Sequence, residues 1–224
     1  MQVISHCIRL SFMEAGQRIK FQHFGHSGYG SKEVGEAFRI LEKTFILSLL
    51  YPSINATLPL VPDHRKSPRL QVLDTGMMNY FLGIQAEVLN TPDLDKIHQG
   101  RIIEHLVGQE LLATQFNVRS GLNFWVREKK TSMAEVDYVY PFESQLIPIE
   151  VKSGKEGTLR SLHQFMDQTS HDMALRFYAG QLALTQATTP SGKPYRLLSL
   201  PYYLVSQTEQ YISWLKRSPT SPHP

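Results

Sequence analysis

Two charged side chains interrupt an apolar, strand-like run at residues 147–152, whose sequence is IPIEVK. Because side chains alternate across a strand, Glu150 and Lys152 are expected on one face and the apolar side chains on the other. A second strand-like run, residues 135–140 (EVDYVY), carries Asp137. Two adjacent strands that each offer a carboxylate, with an ammonium beside one of them, can hold a hard divalent cation such as Mg²⁺. This arrangement indicates metal-assisted hydrolysis of a phosphodiester.

The composition is typical of a soluble globular protein. The chain has 224 residues, of which 42% are hydrophobic and 19% are charged, enough for one large domain or two small ones. No apolar stretch approaches the ~20 residues that a membrane-spanning helix requires, and the N-terminus lacks the pattern of a secretory signal. The single cysteine, Cys7, excludes an intrachain disulfide and is typical of a reducing compartment. We therefore expect a cytoplasmic protein with no membrane contact.

Positive charge is concentrated near the N-terminus. Residues 1–70 hold nine lysines and arginines against five acids, whereas residues 71–224 hold fourteen against fifteen. This asymmetry makes the N-terminal third the better candidate for a nucleic-acid surface. An ordinary solvated surface explains the modest excess equally well.

The first 73 residues are predicted to form a small module of two helices followed by a β-hairpin. A Pro-rich loop joins the two strands of the hairpin and carries Arg65 and Lys66 near its tip. Two helices and a hairpin with a basic tip are the plan of a winged helix-turn-helix module, for which these two residues are candidate DNA contacts. The alternative is a small packing domain without nucleic-acid contact. The predicted hairpin has strands at residues 45–51 and 70–73 and a loop at residues 52–68.

Residues 74–217 are predicted to form an α/β domain, and residues 218–224 a disordered tail. Its first long helix carries Glu104 near the start, and the order from there is helix, three strands, helix, strand. The predicted helices cover residues 77–82, 98–116, 158–169 and 209–216, and the predicted strands cover residues 122–127, 134–140, 145–151, 174–178 and 197–205, with a polar loop at residues 93–95.

This order, together with the positions of the charged residues, resembles the PD-(D/E)XK nuclease superfamily. It resembles one family more closely, the domain of unknown function at the C-terminal end of many bacterial and archaeal AAA-type ATPases. The resemblance implies a restriction-endonuclease-like fold, in which an α-β-β-β-α-β core forms a mixed sheet flanked by helices. The segments that carry it are residues 68–70 (PRL), 73–80 (LDTGMMNY), 100–104 (GRIIE), 124–125 (FW), 135–139 (EVDYV) and 149–154 (IEVKSG).

The resemblance also implies roles for four residues. Asp137 and Glu150 would ligate Mg²⁺ or Mn²⁺, and Glu104 would complete the metal shell or position a water. Lys152 would orient the attacking water or stabilise charge on the phosphate. Arg127 could approach a phosphate, although the reading as an ordinary surface arginine is favoured.

Three functions from different classes follow. The first is a magnesium-dependent nuclease or nuclease-like DNA-processing domain. The second is a non-catalytic interaction module that serves an AAA-type ATPase in cis or in trans, and the third is a transcription regulator that uses the winged helix alone. The chain has no GxxxxGK[ST] loop, so we expect no ATP hydrolysis and interpret it as part of a longer ATPase or as a separated gene product. A homodimer is compatible with the pattern but not required by it.

Overall fold

A computed structural model describes residues 2–90, 100–114, 121–129, 132–152 and 159–218. These residues form a mixed α/β structure in which a sheet is flanked by helices. The helices are α1 (Gln2–Met13), α2 (Ser31–Lys43), α3 (Thr75–Phe81), α4 (Gln85–Asn90), α5 (Arg101–Ala113), α6 (Arg160–Met166) and α7 (Thr208–Arg217). The strands are β1 (Leu47–Leu50), β2 (Pro52–Ser53), β3 (Arg69–Val72), β4 (Asn123–Lys129), β5 (Ser132–Phe142), β6 (Gln145–Val151), β7 (Met173–Tyr178), β8 (Ala183–Thr188) and β9 (Pro194–Pro201).

Seven strands form the main sheet, in the order β2-β4-β5-β6-β7-β9-β8. The central strands β4, β5 and β6 run antiparallel, and β6, β7 and β9 run parallel to one another. One face of the sheet packs against α5 and α7, and the other face packs against α6. Because helices cover both faces of the sheet, the side chains that point to either face are buried. This explains why β6 and β9 consist mostly of apolar residues.

The helix–strand–strand–strand–helix–strand order predicted from the sequence is observed as α5-β4-β5-β6-α6-β7. Among the described residues, the elements that were not predicted include the helix α4, the short strand β2, the edge strand β8 and a 3₁₀ helix at Phe24–His26. The loop prediction for residues 52–68 was wrong at its start, because Pro52 and Ser53 pair in parallel with β4. The strand predicted at residues 197–205 ends at Pro201 and continues as a 3₁₀ helix, Tyr202–Gln207. The predicted tail lies outside the described residues from residue 219 onward, as do residues 91–99, which contain the predicted polar loop.

The N-terminal region has a core of its own. Helices α1 and α2 pack on the antiparallel pair β1–β3, around a cluster that includes Phe12, Phe38 and Leu70. Met78 of α3 and Ile102 of α5 complete this cluster, so the apolar core continues past residue 73. The domain boundary at residues 73–74 stays a prediction. Among the described residues, no helix is long and apolar enough to cross a membrane.

A buried histidine joins the N-terminal region to α5. His105 has no exposed surface, and its Nε2 accepts a hydrogen bond from the Val72 backbone N–H at 3.1 Å. Its Nδ1 lies 3.2 Å from the Thr75 hydroxyl, which donates to Gln109 at 2.6 Å. The Gln71 amide donates to the His105 carbonyl at 2.9 Å. An imidazole that accepts through Nε2 must be neutral, so this contact depends on the deprotonated ring.

We expect His105 to make stability fall with acidification. Burial lowers the pKa of His105 from an ordinary value of 6.5 to about 4. The folded state therefore gains stability from the neutral ring above pH 6.5, and this contribution is lost as the pH falls towards 4; it amounts to about 3 kcal/mol. Urea unfolding of the wild type and of His105→Gln at pH 7 and pH 4 measures it. The wild type should lose about 3 kcal/mol more than the variant between these pH values, and an equal loss in both proteins would contradict the assignment.

Candidate functional site

The site begins where the ladder between β5 and β6 stops. The last paired residues of this ladder are Tyr138 and Ile149, and the same register would place Asp137 opposite Glu150. The backbone N–H of Val151 instead donates to the Asp137 carboxylate, with 2.7 Å between nitrogen and Oδ2. A side chain thus replaces a backbone acceptor at this point, and the two strands separate around the carboxylates.

Glu150 and Lys152 lie together on one side of β6, as the alternation predicted. The Lys152 ammonium donates to Oε1 of Glu150. The second carboxylate oxygen of Glu150, Oε2, is buried and has no hydrogen-bond partner among the residues that the structure describes. A buried carboxylate oxygen without a donor is costly, about 1–3 kcal/mol or more for a charged group. A bound cation or protonation of the carboxylate would remove this cost.

The electrostatics agree with that conclusion. Burial raises the pKa of Asp137 well above its usual value, and the neighbouring carboxylates of Glu150 and Glu104 raise it further. Burial also raises the pKa of Glu150, although Lys152 opposes this. Burial lowers the pKa of Lys152, but Glu150 and Asp137 more than offset this and the ammonium stays protonated at neutral pH. The positive charge of Lys152 therefore does not balance the negative charges of the neighbouring carboxylates.

Glu104 pairs with an arginine from the N-terminal region. It lies in the first turn of α5, where its carboxylate pairs with Nη1 of Arg69 at 2.5 Å. Arg69 also pairs with Glu135 through Nη2 and donates to the Asp137 backbone carbonyl at 3.0 Å. Glu104 is close enough to Asp137 to raise its pKa, but its place in a ligand set stays a prediction.

The donor set fits a hard divalent cation with two protein carboxylates. Within the described residues, no three His, Cys, Asp or Glu side chains are arranged as a ligand set. Magnesium needs only one or two carboxylates, because waters and substrate phosphates fill its other positions. Asp137 is partly exposed, so waters or a phosphate can reach it, and Glu150 has the unpartnered oxygen. These two residues therefore supply the carboxylates that magnesium needs. Residues 153–154 of the predicted motif lie outside the described residues.

The three basic residues predicted from the sequence line one open cleft of about 680 Å³ between the loop before β3 and strand β4. Arg65 is 88% exposed and pairs with Asp63, while Lys66 pairs with Glu128. Arg127 donates to Gln164 of α6 at 3.0 Å and also lines a neighbouring cleft with Arg160 and His163. The sequence therefore predicted three basic residues separately, and the fold brings them to one surface.

Arg69 is the residue that the sequence analysis missed. Its side chain is 4% exposed, and its guanidinium lies over the rings of Phe124 and Tyr138, 4.7 and 5.7 Å from their centroids. Burial lowers the pKa of Arg69, but Glu104 and Glu135 more than offset this and hold it above its ordinary value. A charged residue beside the apolar strand residues 70–73 was the available signal, the same signal that identified Glu150.

Two helical glycines allow the packing around the site to be tested. A Cβ at Gly108 of α5 would lie 2.4 Å from the Tyr138 hydroxyl, which donates to the Glu104 carbonyl at 2.8 Å. We expect Gly108→Ala to destabilise the protein by about 1–3 kcal/mol, because α5 must move away from β5. The matched control is Gly35→Ala in α2, whose Cβ meets only an ordinary contact at 3.4 Å.

Gly35→Ala should stabilise the fold by about 0.5–1 kcal/mol, since alanine is the better helix former. Chemical denaturation of both variants gives the two free energies of unfolding. Effects of the same sign would show that the α5–β5 approach is not tight.

Comparisons with known proteins give two matches. Residues 99–202 match a family described as a domain of unknown function, DUF4143. Residues 1–88 match a second family with the same description, DUF8612. No curated protein and no solved structure matches the chain. The predicted resemblance is thus confirmed at the level of a domain of unknown function that contains α5, the three central strands and all four predicted site residues.

Proposed function

We propose that the protein is a magnesium-dependent, nuclease-like DNA-processing domain that works with an AAA-type ATPase. The observation that carries the proposal is the orphaned, buried Oε2 of Glu150, held beside Asp137 and Lys152 where two strands separate. A structural ion pair would satisfy both oxygens of the carboxylate. One oxygen held by an ammonium and one without a donor are the state expected of a cation ligand.

The fold supports this reading. The order α5-β4-β5-β6-α6-β7, with helices on both faces of a mixed sheet, has the element order of a restriction-endonuclease-like core. Helices α1 and α2 followed by the β1–β3 pair have the order of a winged-helix module. The candidate acids and the lysine lie on α5, β5 and β6, as the PD-(D/E)XK pattern requires.

Each residue would contribute in a distinct way. Asp137 and Glu150 would hold the cation, which when bound supplies Lewis-acid polarisation of a phosphodiester oxygen. Lys152 is one quarter exposed, so its ammonium can donate to a water or a phosphate oxygen while it stays paired with Glu150. Asp137 has a second task, because its Oδ2 binds the Val151 N–H and so fixes the separation of the strands.

The cleft of Arg65, Lys66 and Arg127 is our candidate surface for the DNA backbone. Guanidinium groups bind phosphate oxygens with two donors, and Arg127 has a neutral amide as its hydrogen-bond partner. Arg127 is the strongest of the three candidates, because Glu128 already pairs with Lys66 and Asp63 with Arg65.

The alternative is a non-catalytic module that binds DNA or the ATPase. The observation that favours it is the ion pairing of the acids: Glu104 is held by Arg69 and Glu150 by Lys152. In this reading the same network only stabilises the fold, and the protein has no measurable affinity for a divalent cation.

Isosteric variants separate these two functions. We expect Asp137→Asn, Glu150→Gln and Lys152→Met each to lower the rate of DNA cleavage with Mg²⁺ or Mn²⁺ by at least ~100-fold, because each removes a charge that acts on the phosphate. The asparagine keeps an acceptor for the Val151 N–H, so the fold should survive. Cleavage of a fluorescently labelled duplex and of a single strand, in the presence and absence of EDTA, gives the rates. The control is Glu143→Gln, an exposed acid on the turn between β5 and β6 that pairs with Lys216. Full activity in all three site variants would overturn the proposal.

The DNA surface is tested by binding rather than by cleavage. We expect Arg127→Met and Arg65→Met each to weaken DNA binding and to reduce the slope of log affinity against log salt by about 1, because each removes one phosphate contact. Fluorescence anisotropy with Ca²⁺ in place of Mg²⁺ measures affinity without turnover. Arg217→Met on α7 is the matched control, since this exposed arginine does not line the cleft. Unchanged slopes in both cleft variants would assign these arginines to ordinary surface.

A further inference from the structure

Arg69 comes from the N-terminal region but makes its polar contacts in the sheet domain. It is the first residue of β3, and its guanidinium reaches Glu104 on α5 and the backbone carbonyl of Asp137 on β5. It also pairs with Glu135 on β5. The residue is 3% exposed, so it cannot touch a substrate. Any influence that it has on the site must come from its charge or from the residues that it contacts.

Its partner Glu104 is one of the carboxylates nearest the candidate metal position. Nη1 of Arg69 contacts both the Glu104 carboxylate, at 2.5 Å, and the backbone carbonyl of Asp137, at 3.0 Å, which places Glu104 beside Asp137. Its side chain is 28% exposed, so it has room to turn. What holds the Glu104 carboxylate in its present position is the 2.5 Å contact with Arg69.

We propose that Arg69 is a positioning residue that acts as an internal counter-cation: it holds Glu104 out of the metal shell and competes electrostatically with the divalent cation. The inference rests on the proposed metal site at Asp137 and Glu150. Arg69 contacts the backbone carbonyl of Asp137, so its unit positive charge lies near a divalent cation held by the carboxylates of Asp137 and Glu150. The two positive charges repel each other, and the repulsion is strong where water is excluded. Docking of the N-terminal region and metal affinity are therefore coupled with opposite sign, and the coupling is reciprocal.

The sign of the effect distinguishes this role from a structural one. If Arg69 only supports the fold, its loss loosens the acids and weakens metal binding. If it competes with the cation, its loss frees Glu104, removes the repulsion and tightens binding. We expect Arg69→Met to bind Mn²⁺ at least about tenfold more tightly than the wild type, a difference of about 1.4 kcal/mol. Arg69→Lys keeps the charge and should stay within about threefold of the wild type.

The experiment is a titration of the full chain with Mn²⁺, in which electron paramagnetic resonance measures the free ion. The matched control is Arg18→Met. Arg18 is another N-terminal cation that pairs with Glu128 and Glu135, and the ion pairs of the described residues link it to neither Glu104 nor Asp137. Its loss should change the affinity by less than about twofold. Should Arg69→Met fail to fold, the double variant Arg69→Met/Glu135→Gln restores the charge balance and tests the same sign.

Tighter binding in the Arg69→Met protein, with Arg69→Lys and Arg18→Met near the wild type, supports the inference. Equal or weaker binding in a folded Arg69→Met protein overturns it and leaves the proposed metal site intact. Equal tightening by Arg18→Met also overturns it, because a general loss of positive charge then explains the effect. Failure of every protein, including the wild type, to bind Mn²⁺ overturns the metal site and the inference together.

Discussion

The buried guanidinium of Arg69 is the interaction on which the arrangement of this protein depends. Removing a unit charge from water costs several kcal/mol even after the protein relaxes, so the charge persists only where its donors are matched. Here one carboxylate and one backbone carbonyl accept its hydrogen bonds, a second carboxylate forms an ion pair with it, and two aromatic rings lie against it. These partners lie on α5, β4 and β5. One side chain of the N-terminal region thereby fixes the position of the helix and strands that carry the candidate site.

Arg69 is the centre of a longer chain of ion pairs with a regular division of charge. The sequence of contacts is Lys66–Glu128–Arg18–Glu135–Arg69–Glu104. All three cations come from the first 70 residues, and all three acids come from the sheet domain. Much of the excess positive charge of the N-terminal third is therefore paired with acids of the same molecule. This reduces the positive charge available to DNA there, and it makes Arg127, which donates to the neutral amide of Gln164, the strongest candidate for a phosphate contact.

The sequence predicted the parts of the fold that local patterns determine. Alternation located β5 and β6, and helical periodicity located α5, because these elements bury a regular apolar face. It did not locate β2, which has only two residues and owes its conformation to its pairing with β4 across the sheet. It did not locate β8 either, because an exposed edge strand of small and polar residues carries no apolar pattern.

The candidate site was predictable to a similar degree. Asp137, Glu150 and Lys152 come together because their strands are neighbours in sequence and pair directly, so their proximity follows from local order. The partners of Glu104 and Lys66 depend on contacts across 35 and 62 residues of chain, which no local pattern reports. A charged residue flanked by apolar ones in a strand was the signal that can be applied to other strands. Applied to residues 69–72, where Arg69 and Gln71 are both buried, the same rule would have identified the interface.

Stability alone does not explain the acids at the end of the β5–β6 ladder. A backbone acceptor for the Val151 N–H would cost nothing in desolvation, yet the chain uses a partly buried aspartate whose pKa is raised by its neighbours. A leucine or methionine at position 150 would pack against the sheet without leaving an oxygen unpartnered, and replacing a buried charge pair by apolar groups is often neutral or stabilising. The fold thus carries an energetic cost at this place, whereas the buried charge of Arg69 nearby is matched by acceptors. Acids whose burial is unfavourable, within an otherwise well-packed structure, are characteristic of residues that serve chemistry rather than packing. Since the raised pKa values and the unpartnered oxygen both express a shortage of positive charge, the divalent cation that we propose would remove this cost.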